Sequence, residues 1–227
     1  DSTSGLFGLQ TWPWGFWFKL NANPAAVRNI LQSGPDTGAT QRRLRINTSG
    51  TMQVIIDGTG TDCSFITTAA IPTGQWQFYA ITCSWGSTPT VVGYVSDIAN
   101  TGALSAMSWG TTTSGSGTLA IETTTGGARK LRLLNNNALN AGFADGEIGP
   151  FCLWNAVLTQ GQAQQVFHYG PLAYRTGLLA WLEGNHWFNA FGFSPDLVGH
   201  ALWTGTPASL TYTSGPPMLW APWRSAT

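Results

Sequence analysis

Three glutamates, Glu122, Glu147 and Glu183, are the first place to look for chemistry in this 227-residue chain. Hydrolysis of a glycosidic bond needs two carboxyl groups flanking it, one to protonate the leaving oxygen and one to attack or to activate water. None of the three glutamates has a second carboxylate two residues further on. Glu147 has Asp145 close by, across the turn Ala144-Asp145-Gly146, where carboxylates serve as acceptors for loop amides. Asp36-Thr37-Gly38 spells the triplet of aspartic proteases, whose chemistry requires two aspartates sharing a proton. There is no second copy, and the triplet follows Ser33-Gly34-Pro35 rather than an apolar strand. His168, His186 and His200 are scattered, one at the end of a helix signal and two in an aromatic C-terminal region, as expected of core or capping histidines. No serine occupies a G-x-S-x-G elbow, and no glycine-rich phosphate loop opens a helix. No catalytic residue is assigned, and the chain is not expected to be an enzyme.

Metal chemistry has as little support. Asp57 and Asp62 bracket a Gly/Thr turn and Asp97 starts a loop, but calcium takes six to eight oxygens, usually from several carboxylates. These read as turn aspartates. No cofactor is expected, with a structural calcium the one possibility left open. Cys63, Cys83 and Cys152 are odd in number and lack zinc spacing. Cys83 and Cys152 fall within predicted strands and read as buried packing; whether any of the three forms a disulfide stays open. Asn47-Thr48-Ser49 is a glycosylation sequon and also a hairpin turn.

Aromatic rings are the remaining candidates. Sugars stack on exposed tryptophan faces, where the ring is covered while polar edges stay wet. Trp85, at a strand end, and Trp109, in a long polar loop, are the candidate ligand-binding residues, with core packing as their alternative. Trp220 and Trp223 lie in Pro216-Pro217-Met218-Leu219-Trp220-Ala221-Pro222-Trp223, whose prolines favour an extended, polyproline-like path. They are candidates for an assembly interface, with the tail lying either in a groove of its own domain or on a neighbour.

These residues must be positioned by strands. Thr11–Leu20 alternates with period two: Trp12, Trp14, Phe16, Phe18 and Leu20 share one face and Trp17 takes the other, a strand apolar on both sides. Strands are also predicted at Val27–Ser33, at Leu44–Ile46 and Met52–Ile56 around the hairpin turn Asn47–Gly50, at Gln75–Trp85, and at Thr90–Val95. Asp57–Asp62 reads as a turn cluster and Ile98–Gly117 as a long loop. Thr118–Glu122 and Arg129–Leu134 flank Gly126-Gly127 as a second hairpin. Glu147–Asn155 is a strand that feeds one short helix, capped by Thr159, with Ala163, Val166 and Phe167 on its apolar side. Short strands follow at Leu178–Leu182, Ala201–Thr204 and Leu210–Thr213. About a dozen strands with frequent turns predict an all-β, two-sheet antiparallel sandwich with one short helix near 159–168.

Charged residues make up 9% of the chain and the formal net charge is zero, which leaves no electrostatic footprint for nucleic acid or an anionic membrane. No run of about 18 apolar residues exists to span a bilayer. The chain begins at Asp1 without a visible signal peptide, consistent with a processed product or a trimmed chain.

Gly74-Gln75-Trp76-Gln77-Phe78-Tyr79-Ala80-Ile81-Thr82 resembles the G-x-W-x-h-h-A-h-T strand of laminin-G-like, concanavalin A-like jelly rolls. Phe143-Ala144-Asp145-Gly146-Glu147-Ile148, followed by Leu153-Trp154-Asn155-Ala156-Val157-Leu158-Thr159, resembles that family's F-x-G-x-I … h-W-N-x-x-L-T segment. Phe16-Trp17-Phe18-Lys19-Leu20 is similar to its early h-W-h-K-h strand. The resemblance covers roughly residues 10–170, with one extra residue in F-A-D-G-E-I. It implies a jelly roll. It also brings related glucanases into view, but their E-x-D-x-x-E strand is absent here. Gly177–Leu182 and Ser194–Gly199 resemble segments that open the family's usual chain, so residues 171–227 are expected to close the same sheets as a C-terminal extension. The chain is thus expected to be a single domain over 1–227.

Two functions follow as expectations. The first is a non-catalytic, surface-exposed structural module of a larger assembly, such as a virion decoration, a fibre component or an extracellular filament, with glycan adhesion as an added capability. Its partners would be subunits of that assembly. The second is a carbohydrate-binding module or lectin of a secreted protein, with surface glycans as partners. Both place the chain outside the cell or on a virion surface, with neither nucleic acid nor membrane insertion involved.

Overall fold

The computed structural model describes residues 10–33, 41–86, 88–119, 131–133, 144–182, 193–195 and 202–204. Two six-stranded sheets dominate them. The first orders as β12(Leu178–Leu182), β11(Gly146–Trp154), β1(Thr11–Leu20), β6(Gln77–Ser84), β7(Thr90–Val95) and β8(Ser105–Ala106). The second orders as β10(Leu131–Leu133), β2(Arg28–Ser33), β3(Arg42–Ile46), β4(Thr51–Ile56), β5(Thr61–Ala70) and β9(Trp109–Ser116). All strand pairs within these sheets are antiparallel. The chain crosses between sheets after β1, β5, β8 and β10, which is the jelly-roll sandwich expected from the sequence. A short hairpin, β13(Phe193–Pro195) with β14(Leu202–Thr204), forms separately.

The period-two pattern of β1 decides how the layers stack. Trp12, Trp14, Phe16, Phe18 and Leu20 point into the inter-sheet core, joining Leu44, Ile46, Val54 and Ile56 from the facing sheet and Tyr79, Ile81 and Cys83 from β6. Trp17 points out of the sandwich. There it meets Phe78, Ala80, Cys152 and Trp154 in a second cluster, closed by Ala163, Val166 and Phe167 of helix α1(Gln160–Tyr169). That helix starts where expected. Thr159 Oγ1 accepts the Gln162 N–H, and the Thr159 N–H donates to Gln162 Oε1, a complete capping box.

Several expectations are corrected. Thr61–Ala70, beginning inside the turn cluster expected at Asp57–Asp62, is a full strand whose Cys63, Phe65 and Thr67 face inward. Half of the expected loop Ile98–Gly117 is β8 and β9, because β9 finds hydrogen-bond partners along the edge of β5. Residues 131–133 pair with β2 and Leu119 bridges Gly58, while 120–122 of the expected second hairpin lie outside the described residues. The turn Asn47–Gly50 forms as expected, with Gly50 at φ +79°. The Asp36 triplet, Glu122, Glu183, His186, His200, Trp220 and Trp223 lie outside the described residues.

Cys63, Cys83 and Cys152 are all buried, and Cys63 and Cys83 keep their thiols. Burial pushes the Cys63 thiol up from 9.0 to about 12 and raises Cys83 as well. The folded chain therefore holds these protons in a range where the unfolded chain releases them. Their contribution to stability is full below about pH 9 and is lost as pH rises toward 12. The urea midpoint should fall over that range, less steeply in Cys63→Ala, and native thiols should resist alkylation at neutral pH. A pH-independent midpoint, or rapid alkylation of the native protein, would contradict this.

Candidate functional site

A sandwich of this kind has two outer sheet faces. On the first sheet, α1 packs over Trp17, Phe78 and Trp154 and removes that surface from solvent. On the second sheet, alternation sends Leu44, Ile46, Val54, Ile56 and Cys63 into the core and leaves the intervening residues outside. Antiparallel register then aligns them. Arg43 lies opposite Ile55, and Ile55 opposite Ser64 and on to Thr113; Arg45 lies opposite Gln53, and Gln53 opposite Ile66. Arg43, Arg45, Gln53, Ile55, Asp62 and Ser64, with hydroxyl residues of β5 and β9, line a groove of about 440 Å³.

Polar contacts hold this lining in place. Asp57, 3% exposed, receives Arg43 Nη2 on Oδ1 at 3.1 Å and the Gln41 backbone N–H on Oδ2 at 2.8 Å. Burial raises the Asp57 carboxyl above its usual range, against the opposing pull of the Gln41 amide and Arg43. Gln53 Nε2 donates to Ser64 Oγ at 2.8 Å, and Thr112 Oγ1 donates to the Ser64 carbonyl at 3.1 Å. Asp62 Oδ1 accepts the Gly58 N–H at 3.3 Å.

Arg45 differs from Arg43. It is half-buried, its Nε is shielded from solvent, and among the described residues it has no ion-pair or hydrogen-bond partner. Burial, followed by the like charge of Arg43, lowers its guanidinium to about 10, so it remains a cation at neutral pH. The third arginine of the strand, Arg42, takes the inward side and lies over the Trp12 ring at 4.3 Å.

The tryptophans proposed from the sequence lie elsewhere. Trp85 is 7% exposed and belongs to the inter-sheet core, beside Gly58 and Gly115, so its ring has no open face to give a sugar. Its position continues the inward alternation of Tyr79, Ile81 and Cys83. Trp109 opens edge strand β9, half-buried against the same core next to Met107 and Gly93. Neither lines the groove. Glu147 pairs with Lys19, and Asp145 receives the Asn21 side chain at 3.1 Å, so both fix the start of β11. Half-buried His168 contacts Gln164 in the last turn of α1. Among the described residues no three His, Cys, Asp or Glu cluster as metal ligands. The groove arginines had a signal in the sequence: Arg42-Arg43-Leu44-Arg45-Ile46 places Arg43 and Arg45 on one side of a strand. Reading that strand from Leu44 hid it.

The chain matches the Laminin_G_3 family, described as the concanavalin A-like lectin/glucanases superfamily, over residues 2–164. No curated protein matches it. Among solved structures, an inferred carbohydrate binding protein from Bacteroides ovatus ATCC 8483 superimposes with a TM-score of 0.55 at 15% identity. That match covers 86% of this chain and 54% of the other, so the chain spans about half the length of that protein. The CBM40 of the Ruminococcus gnavus IT-sialidase, solved with alpha2,3 sialyllactose, gives 0.49 at 13% identity, covering 70% of this chain and 83% of that one. A Trypanosoma rangeli sialidase gives 0.45 at 12% identity, covering 70% and 23%. At such identities the likeness is one of fold.

Proposed function

Because the chain belongs to the concanavalin A-like lectin/glucanase superfamily, we propose that it is a carbohydrate-binding module that binds glycan without cleaving it. The observation that carries this is the groove on the outer face of the second sheet. Its floor is a strand array, which holds side chains with little motion, and its lining combines amide, hydroxyl and guanidinium donors around Ile55. Such a mixture suits sugar hydroxyls over an apolar patch. Cleavage has no support in the same place. Among the described residues Asp62 is the sole carboxylate lining the groove, and Asp57 behind it is engaged by Arg43 and the Gln41 amide. A second carboxylate across a scissile bond is lacking among the described residues.

The fold shared with the Bacteroides ovatus protein adds support for glycan binding. It favours this reading over a structural subunit of a virion or filament. The assembly reading rested on low charge, a neutral surface and the aromatic, proline-rich tail, whose Trp220 and Trp223 lie outside the described residues. A secreted or surface location goes with glycan binding.

Retention on a panel of soluble polysaccharides in affinity electrophoresis tests the proposal. The chain should be retarded by at least one polysaccharide and should release no reducing ends from it. Gln53→Ala removes an amide from the centre of the groove and should weaken retention about fivefold to tenfold, the effect of one or two hydrogen bonds. Lack of retention across the panel, or undiminished retention by Gln53→Ala, would overturn the function or its location respectively.

A further inference from the structure

The two groove arginines are unequal, and the inequality identifies the ligand chemistry. Arg43 has its counter-charge in Asp57 at 3.1 Å. Arg45, two residues along the same strand, faces the same groove with no such partner among the described residues. A half-buried cation beside a like charge is costly unless an anion completes it. Burial and then Arg43 lower its guanidinium pKa, with the Asp57 charge, already held by Arg43, pulling the other way. Nothing in packing demands an arginine there. The inward positions Leu44 and Ile46 supply the core contacts of β3, and the outward side chain opposite Gln53 is not part of that core.

We propose that this groove selects glycans bearing an anionic substituent, a carboxylate or a sulfate ester, and that Arg45 is the residue that receives it. The planar guanidinium offers parallel N–H groups that match the two oxygens of either anion. Gln53 and Ser64 stand next to it for the hydroxyls of the same sugar ring. Asp62, at another part of the lining, disfavours a second anion there and gives the groove a polarity, acid toward Arg45 and hydroxyls toward Asp62. Carboxylate and sulfate share this recognition chemistry, and the probes below separate them.

This inference rests on the glycan-binding function, and the experiment distinguishes the failure of each. Titration calorimetry compares matched pairs: sialyllactose with lactose, oligogalacturonate with its methyl ester, and a sulfated galactan with its desulfated form. At least one acidic member should bind about tenfold or more above its neutral partner, the worth of one charge-assisted contact. Arg45→Gln should bring that member down to the neutral level. Arg45→Lys, which keeps the charge but loses the fork, should recover only part of the preference. Arg175→Gln, exposed beyond α1, should change nothing. Thermal melts of each variant confirm folding, and the acidic probe should raise the wild-type melting temperature and fail to raise that of Arg45→Gln. Equal binding of acidic and neutral partners, or an acid preference that survives Arg45→Gln, would overturn the inference while leaving glycan binding intact. Lack of binding to every probe would overturn both.

Discussion

Trp154→Ala should cost about 3–5 kcal/mol of folding stability, the range for emptying a large aromatic site in a packed core. Trp154 is fully buried between the first sheet and α1. It touches Gly15 so closely that a Cβ at that glycine would stand 2.9 Å from Trp154 Cζ3. Its Nε1 donates to the Tyr174 carbonyl at 3.0 Å, which ties the segment after α1 back to β11. Removing the ring opens a void against Trp17, Phe78 and Phe167 and leaves that carbonyl without its donor. Helix α1 has ten residues, too few to persist in water without the surface beneath it. Against a total of about 5–15 kcal/mol for a domain, the loss is a large fraction. Urea unfolding followed by far-ultraviolet circular dichroism measures it. Trp154→Phe should lose roughly half as much, since the ring remains but the hydrogen bond does not. A change below about 1 kcal/mol for the alanine variant would mean that α1 docks by other contacts. Glycan retention by folded Trp154→Ala should persist below its melting point, because the groove lies on the other sheet.

Asp57→Ala should cost about 2–4 kcal/mol, by stranding a charge and an amide in a shielded place. Arg43 would lose its counter-charge and the Gln41 N–H its acceptor at 2.8 Å. Asp57→Asn keeps one acceptor oxygen but turns an NH2 group toward one of the two donors, so it should cost less than alanine. The sign with pH is also set. Burial raises the folded carboxyl above its unfolded value, so the folded state holds the proton more tightly. The wild type should therefore gain stability relative to Asp57→Asn as pH falls through the folded value, and lose that margin as pH rises. Denaturation midpoints for both proteins across the acid range provide the check; parallel curves would contradict the direction. Binding should change too: with Asp57 gone, Arg43 becomes a second unpaired cation in the groove, and acidic glycans should be held more tightly by the folded variant.

Much of the architecture was legible because it is written locally. The alternation in Thr11–Leu20 needs only the period of a pleated strand to predict two buried faces, and both were found, one in the sandwich core and one under α1. Thr159 announces the helix start by serving backbone donors that any helix must satisfy. The segments around Trp76–Thr82 and Phe143–Thr159 resembled the family to which the chain belongs. What escaped was edge structure. Thr, Ser and Gly in Trp109–Ser116 carry weak strand preference, and β9 exists because β5 offers it a ladder.

The candidate site divides in the same way. Sequence by itself determined that no catalytic carboxylate pair stands in one strand, that tryptophans would be abundant, and that Arg43 and Arg45 share a side of any strand they occupy. Tertiary structure alone decided which side that is. Whether Trp85 meets solvent or core, and whether Arg45 finds a counter-charge, depends on the register between β3, β4, β5 and β9 and on which outer face α1 covers. A strand's alternation sorts its side chains into two sets, but only packing of one sheet upon another assigns one set to the interior and the other to the groove.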